Sequence, residues 1–170
     1  MMTLRPTCPA DQPAIEALLD RAFGPDRTNK AAYRLREGVQ PVAELCCIAE
    51  DGDALKGTIS YWPMIVDLET GGSVEALLLG PIAVEPAISG QGVGIQLMEK
   101  TLAEATMLGY DLVILVGDLD YYSRVGFSRD GTAALRLPGP VDQDRVLVKS
   151  LQGNEVNDLT GVIRGNRHDG

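Results

Sequence analysis

The chain has 170 residues, 45% hydrophobic and 23% charged, a size and balance that fit one folded domain with a sizeable core and argue against disorder. Its single histidine, His168, stands near the chain end, so a His-based triad, a His-rich zinc site or an imidazole proton shuttle is not expected, and proton transfer falls to carboxylates, tyrosines, lysines or water. Twenty-four acidic against fifteen basic residues give a net charge of −9, which repels a phosphate backbone, excludes nucleic acid as an expected partner and favours a cationic small substrate.

Residues 3–5 read as a short extended start. Pro9 and Asp11 then open a helix in which Ile15, Leu18, Leu19, Ala22 and Phe23 follow at helical spacing, and Gly24-Pro25 stops it. Residues 28–37 predict a second, shorter helix ending at Gly38. Four strand-like runs come next, at 42–50, 55–62, 64–68 and 74–84, with Asp51-Gly52-Asp53 as a hairpin turn and Gly71-Gly72 as a second turn. Short turns imply an antiparallel meander. Gly80-Pro81 lies inside the fourth run, and because proline cannot donate to a ladder, that strand should bulge or splay there.

The period then switches to a helix carrying Ile95, Met98, Leu102, Ala105 and Leu108 on one stripe, with Gly109 as its stop. Residues 112–116 are nearly all apolar, as in a strand buried on both faces. A short helix at 120–125 and closing strands at 133–137 and 145–150 complete a domain spanning 1–150. Residues 151–170 are polar and weakly periodic, and read as a loose tail or a piece that docks on a partner. Cys8, Cys46 and Cys47 are odd in number and form no C-x-x-C, which points to a reducing compartment, with Cys46 and Cys47 as small core residues. No signal or transit pattern is seen at 1–7, and no apolar run is long enough for a bilayer, so a cytoplasmic protein without a membrane partner is expected.

The segment that carries chemistry runs Ile82-Ala83-Val84-Glu85-Pro86-Ala87-Ile88-Ser89-Gly90-Gln91-Gly92-Val93-Gly94-Ile95, a strand entering a glycine-spaced turn and then an amphipathic helix. Helix N-termini expose unpaired N–H groups and partial positive charge, and alternate glycines let a phosphate reach them. A P-loop is excluded because no Gly-Lys-Ser/Thr follows. The dinucleotide fingerprint fails too, since its third glycine would fall at Ile95 or Leu97. On this segment alone, glycines that only make a tight turn remain an alternative.

Ile82-Ala83-Val84-Glu85-Pro86 followed by Gly90-Gln91-Gly92-Val93-Gly94 resembles motif A of the GNAT superfamily of N-acetyltransferases, and Tyr121-Tyr122 with Gly126-Phe127 resembles the family's aromatic-Tyr-x-x-x-Gly-Phe segment in the right order. Leu79-Gly80-Pro81 and Gly117-Asp118 look closest to the bacterial YhbS-like subgroup. The resemblance implies an α+β, three-layer fold, with a mixed, mostly antiparallel sheet splayed between strands 4 and 5 and flanked by helices. It also implies acetyl-CoA as co-substrate and a primary amine of a small molecule or peptide as acceptor, with no metal. The cofactor-contacting set carried over is Ile82, Ala83 and Val84 on the strand, Ser89, Gly90, Gln91, Gly92, Val93, Gly94 and Ile95 at the turn, and Tyr121. Tyr122 takes the position of the general acid that protonates the leaving thiolate; a hydroxyl-capped core aromatic is the plainer reading of that residue.

Two positions depart from the family pattern. Ser89 stands where Gln or Arg is usual, and Gly117-Asp118 occupies the region of the asparagine many members carry. Both leave open a second class of protein, a non-catalytic acyl-CoA-binding or regulatory module of the same fold. A third, a nucleotide-binding domain, needs a parallel sheet that the meander does not offer. Glu44, Glu75 and Glu85 are near enough in the strands to be weighed as bases and read as solvated face residues. The oligomeric state is open, and since dimers are common in the family, a homodimer is compatible with the resemblance.

Overall fold

The computed structural model describes residues 2–24, 26–27, 31–139, 141–154, 156 and 159–167; His168, Pro25 and residues 28–30 of the expected second helix lie outside the described residues. β1 (Met2–Pro6) pairs antiparallel with β2 (Cys47–Asp51), and Arg5 on β1 reaches both Asp11 at 2.8 Å and Glu50 at 2.9 Å. That bridge ties the sheet edge to the start of α1 (Gln12–Phe23) and holds the Asp11 carboxyl well below the usual carboxylate range. α1 buries Ile15, Leu18 and Leu19 against Ile48 and Ala83, and Gly24 ends it at φ +81°. α2 (Ala31–Arg36) is shorter than expected within the described residues and buries Leu35.

The expected strands at 55–62 and 64–68 are one, β3 (Ala54–Leu68). Pro63 does not break it because the Pro63 carbonyl accepts from the Asn166 N–H (2.9 Å), so this residue's polar groups face away from β4 (Ser73–Val84) and the missing donor costs no bond to that strand. The first half of β3 pairs with β2, and its second half pairs with β8 (Gly161–Gly165). The start of the expected run at 42–50 is a 3-10 turn, Ala43–Leu45, before β2 begins.

β4 pairs antiparallel with β3 along nearly its whole length, with a register shift between Ile59 and Tyr61 opposite Gly80-Pro81. The bulge expected there is present. α3 (Val93–Met107) packs Val93, Leu97, Met98, Leu102 and Ala105 on the face opposite α1, making three layers. Its buried stripe includes Leu97 and Thr101, whereas Leu108 is 55% exposed because the helix ends before it, at Met107. Tyr61 donates to Thr101 Oγ1 (2.8 Å), which donates to the Leu97 carbonyl (2.7 Å), so the polar pair under the helix is satisfied.

β5 (Leu112–Val116) follows, parallel to β4 but paired with it only at Leu77–Val113 and Leu78–Ile114. α4 (Leu119–Tyr122) and a 3-10 turn, Ser123–Val125, match the short helix expected at 120–125. The closing strands are β6 (Leu135–Arg136), shorter than expected, and β7 (Val146–Ser150), antiparallel to β5. Cys46 and Cys47 are buried. Among the described residues no helix is long and apolar enough to cross a membrane.

Within the segment after residue 150, read as a loose or partner-docking tail, the described residues 161–165 need correction. Gly161–Gly165 docks as β8 on this chain's own β3 and on β6, with Ile163 buried in the core, and its single alternating turn of apolar residues was too short to show as a strand. A side chain at Gly161 would overlap the Asp67 carbonyl across the pair. Gly161→Ala should therefore cost about 1–3 kcal/mol and lower Tm by several degrees in a thermal melt. An unchanged Tm would mean that β8 is not held against β3.

Candidate active site

Where β4 and β5 part, a cleft of about 430 Å³ opens between the bulge, the end of β5 and α4. Leu79 to Ile82, Leu115 to Asp118, and Tyr121 and Tyr122 line its sheet side. The bulge is pinned from behind, because the Trp62 indole N–H donates to the Gly80 carbonyl at 2.6 Å.

The direction of the free main-chain groups follows from one bond. Glu85 N–H donates to the Lys56 carbonyl (2.8 Å), so Glu85 points toward β3, and the two-residue alternation of a strand turns Val84 and Ile82 toward the side from which β5 has departed. Among the described residues no strand pairs with those two on that side, so they present a free edge there. Ala83 sits otherwise: its side chain is buried under α1, and its main chain faces β3 by the same alternation.

After the 3-10 turn Pro86–Ile88, Ser89 is extended and exposed, and Gly90 and Gly92 both take positive φ, +86° and +87°. Neither glycine has a neighbour within 4 Å of where a Cβ would be, so glycine is favoured there by backbone conformation, and the turn's outer side is open. Gln91 is exposed, Val93 is buried and Ile95 is half-buried against the core. The first amide of α3 to find a helical partner is that of Gln96, to the Gly92 carbonyl at 3.0 Å. The amides of Val93, Gly94 and Ile95 are left at the helix end, where the dipole favours an anion.

Gly94 is needed for another reason, since a Cβ there would overlap the Tyr121 hydroxyl. Tyr122 repeats the device: its ring edge lies where a Cβ on Gly117 would be. The two rings meet edge to face at 4.9 Å, and Tyr122 packs on Phe127 at 6.3 Å. Burial first, then the neighbouring Tyr121 and Asp118, push the Tyr122 hydroxyl up to about 12, so it is protonated at neutral pH. Burial also raises Tyr121, against the Arg124 guanidinium held over its ring at 5.9 Å.

Of the three glutamates weighed from sequence, Glu85 pairs with Arg21 at 2.7 Å, Glu44 and Glu75 are exposed, and none lines this cleft. Among the described residues the carboxylates that do are Asp118, 3.6 Å from Arg145, and Asp142. Asp118 was visible in the sequence as the residue after Gly117; nothing in the local pattern marked Asp142. The thiols of Cys46 and Cys47 are pushed up by burial, which disfavours a thiolate nucleophile at either.

A mostly antiparallel sheet that opens beside a glycine-capped helix N-terminus is the architecture of an acyltransferase. The chain belongs to the GNAT acetyltransferase family, whose domain model matches residues 3–129. It is 30% identical over 167 residues to the uncharacterized N-acetyltransferase YhbS of Escherichia coli K12, covering 98% of each chain. The crystal structure of E. coli YhbS in complex with CoA superimposes with a TM-score of 0.78 at 29% identity, over 97% of this chain and 89% of that one. A GNAT family acetyltransferase from Brucella melitensis, crystallised with acetyl-CoA, shares the fold with a TM-score of 0.69 at 23% identity, over 96% and 95% of the two chains.

If Gly117 is the seat of Tyr122, Gly117→Ala should displace that ring and alter the near-ultraviolet circular dichroism of the tyrosines. Gly90→Ala, facing open space, should leave that signal unchanged and cost only backbone strain of about 1 kcal/mol. Identical spectra for wild type and Gly117→Ala would contradict the packing described.

Proposed function

We propose that the chain moves the acetyl group of acetyl-CoA to a primary amine of a small molecule or peptide by direct attack, with Tyr122 as general acid. The observation that carries this reading is the β4 edge at Ile82 and Val84, unpaired with β5 among the described residues, with Ile82 lining the cleft beside Tyr122 and Val84 next to Gly94 at the start of α3. E. coli YhbS and the Brucella protein, crystallised with CoA and acetyl-CoA, support the choice of co-substrate.

In this reading the amides at Gly90–Ile95 hold the pyrophosphate, with Ser89 and Gln91 at the rim. The main chain of Ile82 and Val84 takes the pantetheine arm as an added strand, and Tyr121 packs beside it. An N–H at the bulge, near Ile82, faces the carbonyl oxygen as it gains negative charge. The amine nitrogen forms a bond to the acetyl carbon while the carbon–sulfur bond breaks; the amine's proton leaves through water, and Tyr122 gives its hydroxyl proton to the departing sulfur and is reprotonated from solvent. No thiol nucleophile is required, in keeping with the buried Cys46 and Cys47. The free thiols of Cys8, Cys46 and Cys47 support a cytoplasmic setting.

Calorimetry with acetyl-CoA should show saturable binding, and no binding at millimolar cofactor would overturn the reading. Tyr122→Phe should lower kcat at least about tenfold while leaving the acetyl-CoA affinity within about twofold. An unchanged rate removes Tyr122 from the acid role, and binding without turnover on any amine favours the non-catalytic module. The pH dependence has a definite sign as well: with its acid form held up to about 12, Tyr122 should impose no fall in rate below about pH 10, so the profile should rise as the amine deprotonates and then level. An alkaline fall near pH 8–9 that Tyr122→Phe abolishes would contradict this.

A further inference from the structure

Arg36, the last residue of α2, occupies the wall of the cleft opposite α4. It also lines an adjoining hollow of about 380 Å³ between α1, α2 and β3, so one guanidinium borders both spaces. Its Nε is buried and has no hydrogen-bond partner, and no carboxylate pairs with it among the described residues. The rings of Tyr33 and Trp62 flank it, each 6.0 Å from the guanidinium carbon. Arg27, the nearby second cation, is already neutralised by Glu16 and by Asp20 at 3.1 Å, and Arg145 faces Asp118. Burial and the Arg27 charge together pull Arg36 down to about 10, with only Tyr33 opposing. A half-buried guanidinium whose Nε is cut off from water and that has no anion beside it is unfavourable, and its planar fork matches a carboxylate.

Its location supplies the rest. Arg36 Nη2 lies 3.1 Å from where a Cβ on Gly80 would be, which puts the cation at the bulge and only two residues along β4 from Ile82. The amides that the acetyl-transfer reading gives to the pyrophosphate lie beyond Val84, several residues further along the chain than the Gly80 bulge where Arg36 sits, so the CoA pyrophosphate does not supply the missing anion. We infer that the acceptor is a small amino acid-type compound whose carboxylate, a few bonds from the attacked amine, pairs with Arg36 between the Tyr33 and Trp62 rings. This rests on the acetyl-transfer reading above. It also revises the expectation drawn from net charge: −9 describes the whole surface, whereas the acceptor side of this cleft is governed by an unpaired cation.

Trp62 is the single tryptophan of the chain, so its fluorescence reports on this wall directly. The test titrates the protein, saturated with CoA, with N-acetylglycine and with its neutral counterpart N-acetylglycinamide. N-acetylglycine should give a saturable change in Trp62 emission with at least about tenfold tighter binding than the amide. Arg36→Met, which keeps the stem, should abolish that preference, and Arg36→Lys should restore part of it. Equal binding of the two compounds, no saturable response to either, or a preference that survives Arg36→Met would each overturn the assignment, and the wild-type comparison decides even if Arg36→Met is unstable. CoA affinity measured in the same samples separates the two failures: CoA bound without discrimination overturns the role of Arg36 alone, and absent CoA binding overturns both readings.

Discussion

β4 and β5 share only two register pairs before they separate, and the site is built around that separation. It follows from Gly80-Pro81: proline has no N–H for a ladder, the register with β3 slips opposite it, and the Trp62 indole rather than a neighbouring strand satisfies the Gly80 carbonyl. Had the two strands stayed paired to their ends, Ile82 and Val84 would have spent their main-chain groups on β5. Because they did not, that edge is left open beside the cleft, and in the proposed reading it takes an extended ligand in place of a strand.

The helices on either side are positioned by ordinary packing, and the tyrosines by its absence. α1 and α3 bury their apolar stripes on opposite faces of the sheet, which brings the α3 N-terminus to the end of the open edge. Tyr121 and Tyr122 then fill spaces left by the missing side chains of Gly94 and Gly117. That close approach half-buries the Tyr122 ring and raises its hydroxyl, which stays protonated at neutral pH, so one packing device sets both the place and the protonation state of the proposed acid.

Much of this was legible in the sequence because it rests on local signals. The glycine turn, the bulge at Gly80-Pro81, the helix stops at Gly24 and Gly109 and the short helix carrying the tyrosines are all written in residues that constrain their own backbone. What was not legible depends on partners distant in the chain. Pro63 reads as a strand break until β8 shows which way its polar groups face, and β8 reads as tail until β3 offers it an edge. Leu108 fits the helical stripe but falls just past the helix end. Asp118, Asp142 and Arg36 meet in one cleft from three separate elements, a convergence that no window of the sequence contains.

The central claim is that the free β4 edge and the α3 N-terminus together receive acetyl-CoA. Residue-resolved amide hydrogen exchange with and without acetyl-CoA tests it most directly. The expected result is new protection at Ile82 and Val84 and at Gly90 to Ile95, with the β3-facing amides of Ala83 and Glu85 already slow and unchanged. Protection that leaves Ile82 and Val84 exchanging at their free rates, or that gathers on another face of the sheet, would contradict the account.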